Sequence, residues 1–207
     1  MTVDAVNLSR FRMRHTISQR AALAGALLLI ICSLAGAQEQ PARPDDPFGA
    51  RRWHFEAGLH GALEAWNYNV SHEELYGVTE GLTYGLKDGV VLTFNQHVYY
   101  VSQRANDSWL LGLTAGIRGR VYQRGRSSAF VEGSLGISDA AIAAPPRGTR
   151  FNYVAMGSGG MLLRVRPRVH ALVALQWMHV SNNSLKGPGR NPDIEALGPR
   201  IGVAIAF

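Results

Sequence analysis

Cysteine is almost missing from this chain. Cys32 is the only one in 207 residues, so an intrachain disulfide framework is excluded. An apolar run long enough for a membrane helix is missing as well: Ala21–Leu34 has 14 residues, against the roughly 20 a spanning helix needs. The whole chain carries a net charge of +6, but its basic residues form no clustered face of the kind nucleic-acid binding requires. His54, His60, His72, His97 and His170 are scattered without ligand spacing and without a cysteine partner, so no metal site is expected. Ser158 lies among Gly157, Gly159 and Gly160 but lacks the Gly-x-Ser-x-Gly spacing of a nucleophile elbow. Those glycines read instead as bends or close strand packing.

The N-terminal segment has the layout of an export signal. Arg10, Arg12, Arg14 and Arg20 precede the apolar run, and Ala35-Gly36-Ala37 follows it as a small-x-small cleavage site. Residues 1–37 are therefore expected to be a secretory signal peptide cut after Ala37. Its removal takes four of the 21 Lys and Arg and one of the 15 Asp and Glu, which lowers the net charge to +3. Cys32 leaves with it, and the bulky Ile30-Ile31 before that cysteine argues against a lipoprotein signal. Residues 38–51, with Pro41, Pro44 and Pro47, show no periodicity and read as a periplasmic leader.

From residue 52 onward the chain is a succession of alternating segments separated by turn signals. Trp53, Phe55, Ala57, Leu59, Leu63 and Ala65 alternate with His54, Glu56, His60, Ala62 and Glu64, which predicts a first strand. Further strands are expected at about Glu74–Leu86, Val90–Ser102, Trp109–Gln123, Ser128–Ser138, Phe151–Arg166, Arg168–Ser181 and Ile194–Phe207. In the second, Tyr76, Val78, Leu82, Tyr84 and Leu86 share one face with three glycines opposite. Lys87-Asp88-Gly89 is a tight hairpin signal. The connections alternate between short and long, the bacterial pattern of short periplasmic turns and longer external loops, and the C-terminal Phe207 agrees with it. The expected fold is all-β: an eight-stranded antiparallel transmembrane barrel over 52–207, in the outer membrane. An interior of that size is filled by side chains, so Glu56, Glu64, Arg118, Arg120, Glu132 and Arg200 are expected to pair in a packed core with no pore. Trp53, Trp109 and Trp177 read as lipid-facing belt residues.

The last hairpin breaks its own pattern. Val173, Leu175 and Trp177 share a face, because side chains two apart on a strand point the same way. The series then ends in His179 and Ser181. On the following strand the apolar series Leu197, Pro199, Ile201, Val203, Ile205 and Phe207 begins, read backwards, with Glu195. A histidine, a serine and a carboxylate thus meet at the loop-proximal ends of two neighbouring stripes. Nucleophilic acyl transfer uses these types together: an imidazole takes the serine proton, and a carboxylate fixes and stabilises the imidazole. Asp193 shares the face with Glu195, so alternation alone leaves two candidates for the acid. Strand direction places the group near the external end, opening sideways toward the outer leaflet.

The residues that carry this chemistry also carry a resemblance. His179-Val180-Ser181-Asn182, Leu185-Lys186-Gly187-Pro188 and Asn191-Pro192-Asp193-Ile194-Glu195 together resemble the C-terminal signature of the outer-membrane lipid A 3-O-deacylases. Phe130-Val131-Glu132-Gly133-Ser134-Leu135-Gly136 more loosely resembles an earlier strand of that family. The resemblance implies an eight-stranded barrel with a Ser-His-Glu site on its outer wall that removes the ester-linked hydroxyacyl chain at position 3 of lipid A. It implies Ser181 as nucleophile, His179 as base and Glu195 as orienting acid, with Asn191 and Asn182 assisting at the oxyanion. The segment from His179 to Glu195 is slightly longer than the family pattern, and Pro192 follows the asparagine. Lipid A in the outer leaflet is the expected partner, with Lys186 and Arg190 as candidate phosphate contacts. No cofactor is expected, and a homodimer is compatible with the family. Apart from the resemblance, the residues also allow a lipid hydrolase acting on another ester, or a structural or adhesive barrel.

Overall fold

The computed structural model describes residues 45–65, 72–187, 189 and 191–207. The expected signal peptide and the first part of the leader lie outside these residues. Eight strands follow in chain order: β1 Trp53–Glu64, β2 Glu74–Lys87, β3 Val90–Ser102, β4 Ser108–Arg124, β5 Ser127–Ala140, β6 Phe151–Arg166, β7 Val169–Ser181 and β8 Ile194–Ala206. Each pairs with its chain neighbours, and β8 pairs back on β1 to close an antiparallel barrel. Closure leaves no unpaired edge, so every strand satisfies its backbone within the wall. The all-β eight-stranded expectation therefore holds. The connections after β2, β4 and β6 are two residues each and the others are longer. In the β2–β3 turn Gly89 adopts φ 84°, a conformation that a side chain would strain.

Alternation decides which side chains face out. Leu59, Val78, Leu113, Leu135, Val173 and Ile201 lie on the exposed outer wall, while their chain neighbours point into the barrel. The interior is layered. At the long-loop end Leu75, Tyr99, Leu110, Met178 and Ile194 form an apolar layer, and at the short-turn end Phe48, Val91, Phe130, Leu162 and Leu172 form another. Between them Arg118 donates to Glu56 at 2.5 and 2.8 Å and to Glu132 at 2.9 Å. Arg200 reaches Glu56 at 3.3 Å and Glu132 at 3.8 Å. Two arginines thus neutralise two carboxylates, and the guanidinium of Arg118 also lies 4.7 Å over the Phe130 ring. The space bounded by Asn95, His97, Glu132, Gln176 and Arg200 leaves no water-sized volume. The charged residues expected to face inward do so, in a packed core.

Residues 45–52 cap the short-turn mouth. Phe48 is fully buried there, Asp46 accepts from Arg120 at 2.6 Å, and Asp45 accepts from Arg164 at 2.9 Å. The hydrogen bond from Arg164 holds the Asp45 carboxyl below its ordinary value of 3.8. A carboxylate with a lowered native pKa stabilises the fold fully above its unfolded value, and that contribution is lost as pH falls through the native value. Asp45→Asn should therefore expose the 45–51 segment to proteinase K at neutral pH. In acid below the native pKa, pepsin should cut variant and wild type alike.

Candidate active site

Antiparallel pairing of β7 with β8 sets His179 directly across from Glu195 and Val180 across from Ile194. On the other side β6 sets Ala155 across from His179 and Tyr153 across from Ser181. Both ends are anchored. The amide of Ala65 donates to the carbonyl of Glu195 at 2.8 Å, which ties the start of β8 to the end of β1. Asn182, immediately after Ser181, is buried and donates its side-chain amide to Thr149 Oγ1 at 3.1 Å, which ties the end of β7 to the β5–β6 loop.

Within this frame the imidazole of His179 stands between a hydroxyl and a carboxylate. Its Nε2 lies 2.9 Å from Ser181 Oγ, a normal hydrogen bond, and its Nδ1 lies 3.4 Å from Glu195 Oε1. A tautomer with the proton on Nδ1 satisfies both contacts: the ring faces the carboxylate with its N–H and accepts the serine proton at Nε2. Asp193 Oδ2 is farther from Nδ1, at 3.8 Å. Glu195 is also better shielded, with its side chain 13% exposed against 32% for Asp193. Shielding strengthens an electrostatic contact by removing competing water. Glu195 is the better placed acid on both counts. In an acyl-transfer site of this arrangement, replacing Glu195 by Ala would be expected to cost about four orders of magnitude in turnover, the scale at which a triad acid acts. Asp193→Ala should cost far less, and initial rates on an ester substrate compare the two.

Trp177 is a contributor that sequence reasoning placed only in the lipid belt. Its ring stacks on the His179 imidazole with centroids 6.1 Å apart and planes inclined by 21°. The sequence signal was its position two residues before His179 on the same face. Ser181 is buried, at 8% exposed, and His179 on the same face is half-buried. Among the described residues, Asn191 Oδ1 is enclosed without a hydrogen-bond partner. Lys186 is exposed in the β7–β8 loop, and Arg190 lies outside the described residues. The ligand atoms of His179, Asp193 and Glu195 also lie within 4.8 Å of one another, close enough for a metal ion. The Ser181 hydroxyl on Nε2 adds to that group the third residue type that nucleophilic acyl transfer uses.

No family model and no curated protein matches the sequence. Solved structures match the fold. The outer membrane protein OprG from Pseudomonas aeruginosa superposes with a TM-score of 0.52 at 12% identity, covering 78% of this chain and 99% of that one. Neisserial surface protein A gives 0.56 at 11% identity, covering 75% and 97%. This chain has the fold of an outer-membrane barrel. The outer membrane enzyme PagL matches too, with a TM-score of 0.51 at 14% identity, covering 72% of this chain and 97% of that one. A surface protein and an enzyme thus share the architecture, so the fold does not choose among functions and the site must. In outer-membrane barrels the short turns are periplasmic and the long loops external. The imidazole–hydroxyl–carboxylate group of this barrel lies at the long-loop end of its wall.

Proposed function

We propose that this barrel is a serine esterase that removes the ester-linked hydroxyacyl chain at position 3 of lipid A. The observation that carries the reading is the unbroken contact chain Ser181 Oγ–His179 Nε2 at 2.9 Å and His179 Nδ1–Glu195 Oε1 at 3.4 Å. Polar residues that only ended a membrane stripe would have no reason to align in this order across two strands. Position supports the chemistry: His179 continues the outward-facing series of β7, so a membrane-bound ester would approach Ser181 without leaving the leaflet. Regiochemistry rests on the resemblance of the 179–195 segment to the lipid A 3-O-deacylases.

In the reaction His179 Nε2 takes the hydroxyl proton as Ser181 Oγ bonds to the ester carbonyl carbon. Glu195 stabilises the imidazolium that results. The tetrahedral oxyanion needs donors aimed at it. The Asn191 side-chain amide is assigned to that task on the resemblance, with Asn182, whose amide donates to Thr149 Oγ1, as the second candidate. Collapse breaks the bond to the sugar oxygen, which takes the proton from His179. Water, deprotonated by the same imidazole, then releases the hydroxy fatty acid and restores Ser181.

Mass spectrometry of lipid A tests this in cells carrying either the wild-type chain or Ser181→Ala, with outer-membrane insertion verified for both. Loss of one hydroxyacyl mass with wild type alone, assigned to position 3 by fragmentation, is the expected result. Unchanged lipid A in both would remove the lipid A assignment and turn the search to phospholipid esters.

A further inference from the structure

Among the described residues, the middle of the lipid-facing belt carries a single charged side chain, Glu80. β2 presents Tyr76, Val78, Glu80, Leu82 and Tyr84 outward, so the carboxylate stands midway between two tyrosines of the kind that mark the membrane edges. β3 sets Gln96 directly across from it, between Phe94 and Val98, and β1 sets the small Ala57 on its other side. Glu80 and Gln96 are both exposed, and neither makes a hydrogen bond or ion pair with another described residue. Hydrocarbon cannot satisfy either group. Other outward residues along the middle of the neighbouring strands, such as Leu113, Leu135, Val173 and Ile201, are apolar. An ionisable residue held in the membrane marks a site with a partner.

The partner is defined by what can exist at that depth. Lipids offer only acyl chains there, so the hydrogen-bonding groups must come from protein. The patch itself holds an acceptor and a donor side by side. A two-fold axis along the membrane normal, passing in front of the pair, sets Glu80 of each copy against Gln96 of the other, and one contact then gives two hydrogen bonds. Apolar depressions of about 780 Å³, beside Ala57, Leu59 and Val78, and about 530 Å³, beside Phe55, Leu82 and Phe94, flank the pair. They give room for the ridges of an identical face. We infer that the outer face of β1–β3 is where a second copy of this chain docks, held by reciprocal Glu80–Gln96 contacts. This interface does not rest on the esterase reading. The triad lies between β7 and β8, with β1 separating that hairpin from β2, so docking leaves Ser181 open to the leaflet.

Cross-linking in native outer membranes tests the inference. In a Cys32→Ser background, Val98→Cys places a single thiol beside the patch, and copper-phenanthroline oxidation should give a band at twice the chain mass. Met161→Cys, on the outer face of β6, should give none. Adding Glu80→Leu or Gln96→Leu should lower the Val98→Cys dimer yield about tenfold or more, as expected for lost hydrogen bonds in hydrocarbon. Leucine suits a lipid-facing strand, and heat-modifiable mobility on gels verifies that each variant barrel is folded. The inference fails if no doubled band forms or if the thiol links to a chain of different mass. It fails equally if folded leucine variants dimerise like wild type.

Discussion

Ser181→Ala is expected, on the proposed esterase reading, to slow ester cleavage by about a million-fold, the loss seen when a triad nucleophile is removed. His179→Ala should lose about as much, because the two act as one unit: without Nε2 to take its proton, Ser181 is a poor nucleophile. The double variant should therefore be no slower than either single one. Release of hydroxy fatty acid from lipid A in mixed micelles, measured with purified folded barrel, gives the three rates. Multiplicative losses would mean that the 2.9 Å contact is not the proton path. Activity surviving Ser181→Ala would remove the nucleophile assignment altogether, and the 2.9 Å contact would then be an ordinary polar pair at the membrane edge.

Arg118→Met is expected to destabilise the barrel by about 3–5 kcal/mol, the cost of breaking a buried ion pair by removing one partner. Arg118 is 1% exposed and supplies three of the hydrogen bonds that hold Glu56 and Glu132. Without it two carboxylates face Arg200 alone. Lysine should not rescue, since a point charge cannot reproduce the two parallel bonds to Glu56. Arg118→Met combined with Glu56→Gln should recover part of the loss, because the remaining pair, Arg200 and Glu132, is again neutral. Urea midpoints in detergent micelles would rank the variants. A wild-type midpoint for Arg118→Met would show that the barrel wall alone sets stability.

Much of the architecture was legible because a barrel strand has one rule: side chains alternate between lipid and interior. Trp53 to Ala65, or Trp109 to Val121, can be sorted by that rule with no partner in view. The charges at Glu56, Arg118 and Arg200 fell inward by the same reasoning. Alternation also took His179, Ser181 and Glu195 to one face, since 179 and 181 differ by two and Glu195 heads the next outward series. It could not separate Glu195 from Asp193, which have the same parity. The β7–β8 register adds a difference in placement: it puts Glu195 directly opposite His179 and leaves Asp193 just beyond the ladder.

Parity also hid two features. The outward series of β2 reads as an apolar stripe when Glu80 is passed over. Its meaning appears only when β3 brings Gln96 beside it. The 45–52 segment has no periodicity, so nothing in the chain announced that Phe48 fills the barrel mouth with Asp46 on Arg120.

The sequence by itself determined the strands, their inward and outward faces and the residue types available for acyl transfer, because these depend on spacing along one chain. Tertiary structure decided how near each carboxylate stands to His179, which cation meets which buried acid, what closes the short-turn mouth and which polar groups stand together in the lipid belt. Those are distances between strands, fixed by register and by barrel closure, and local periodicity holds no information about them.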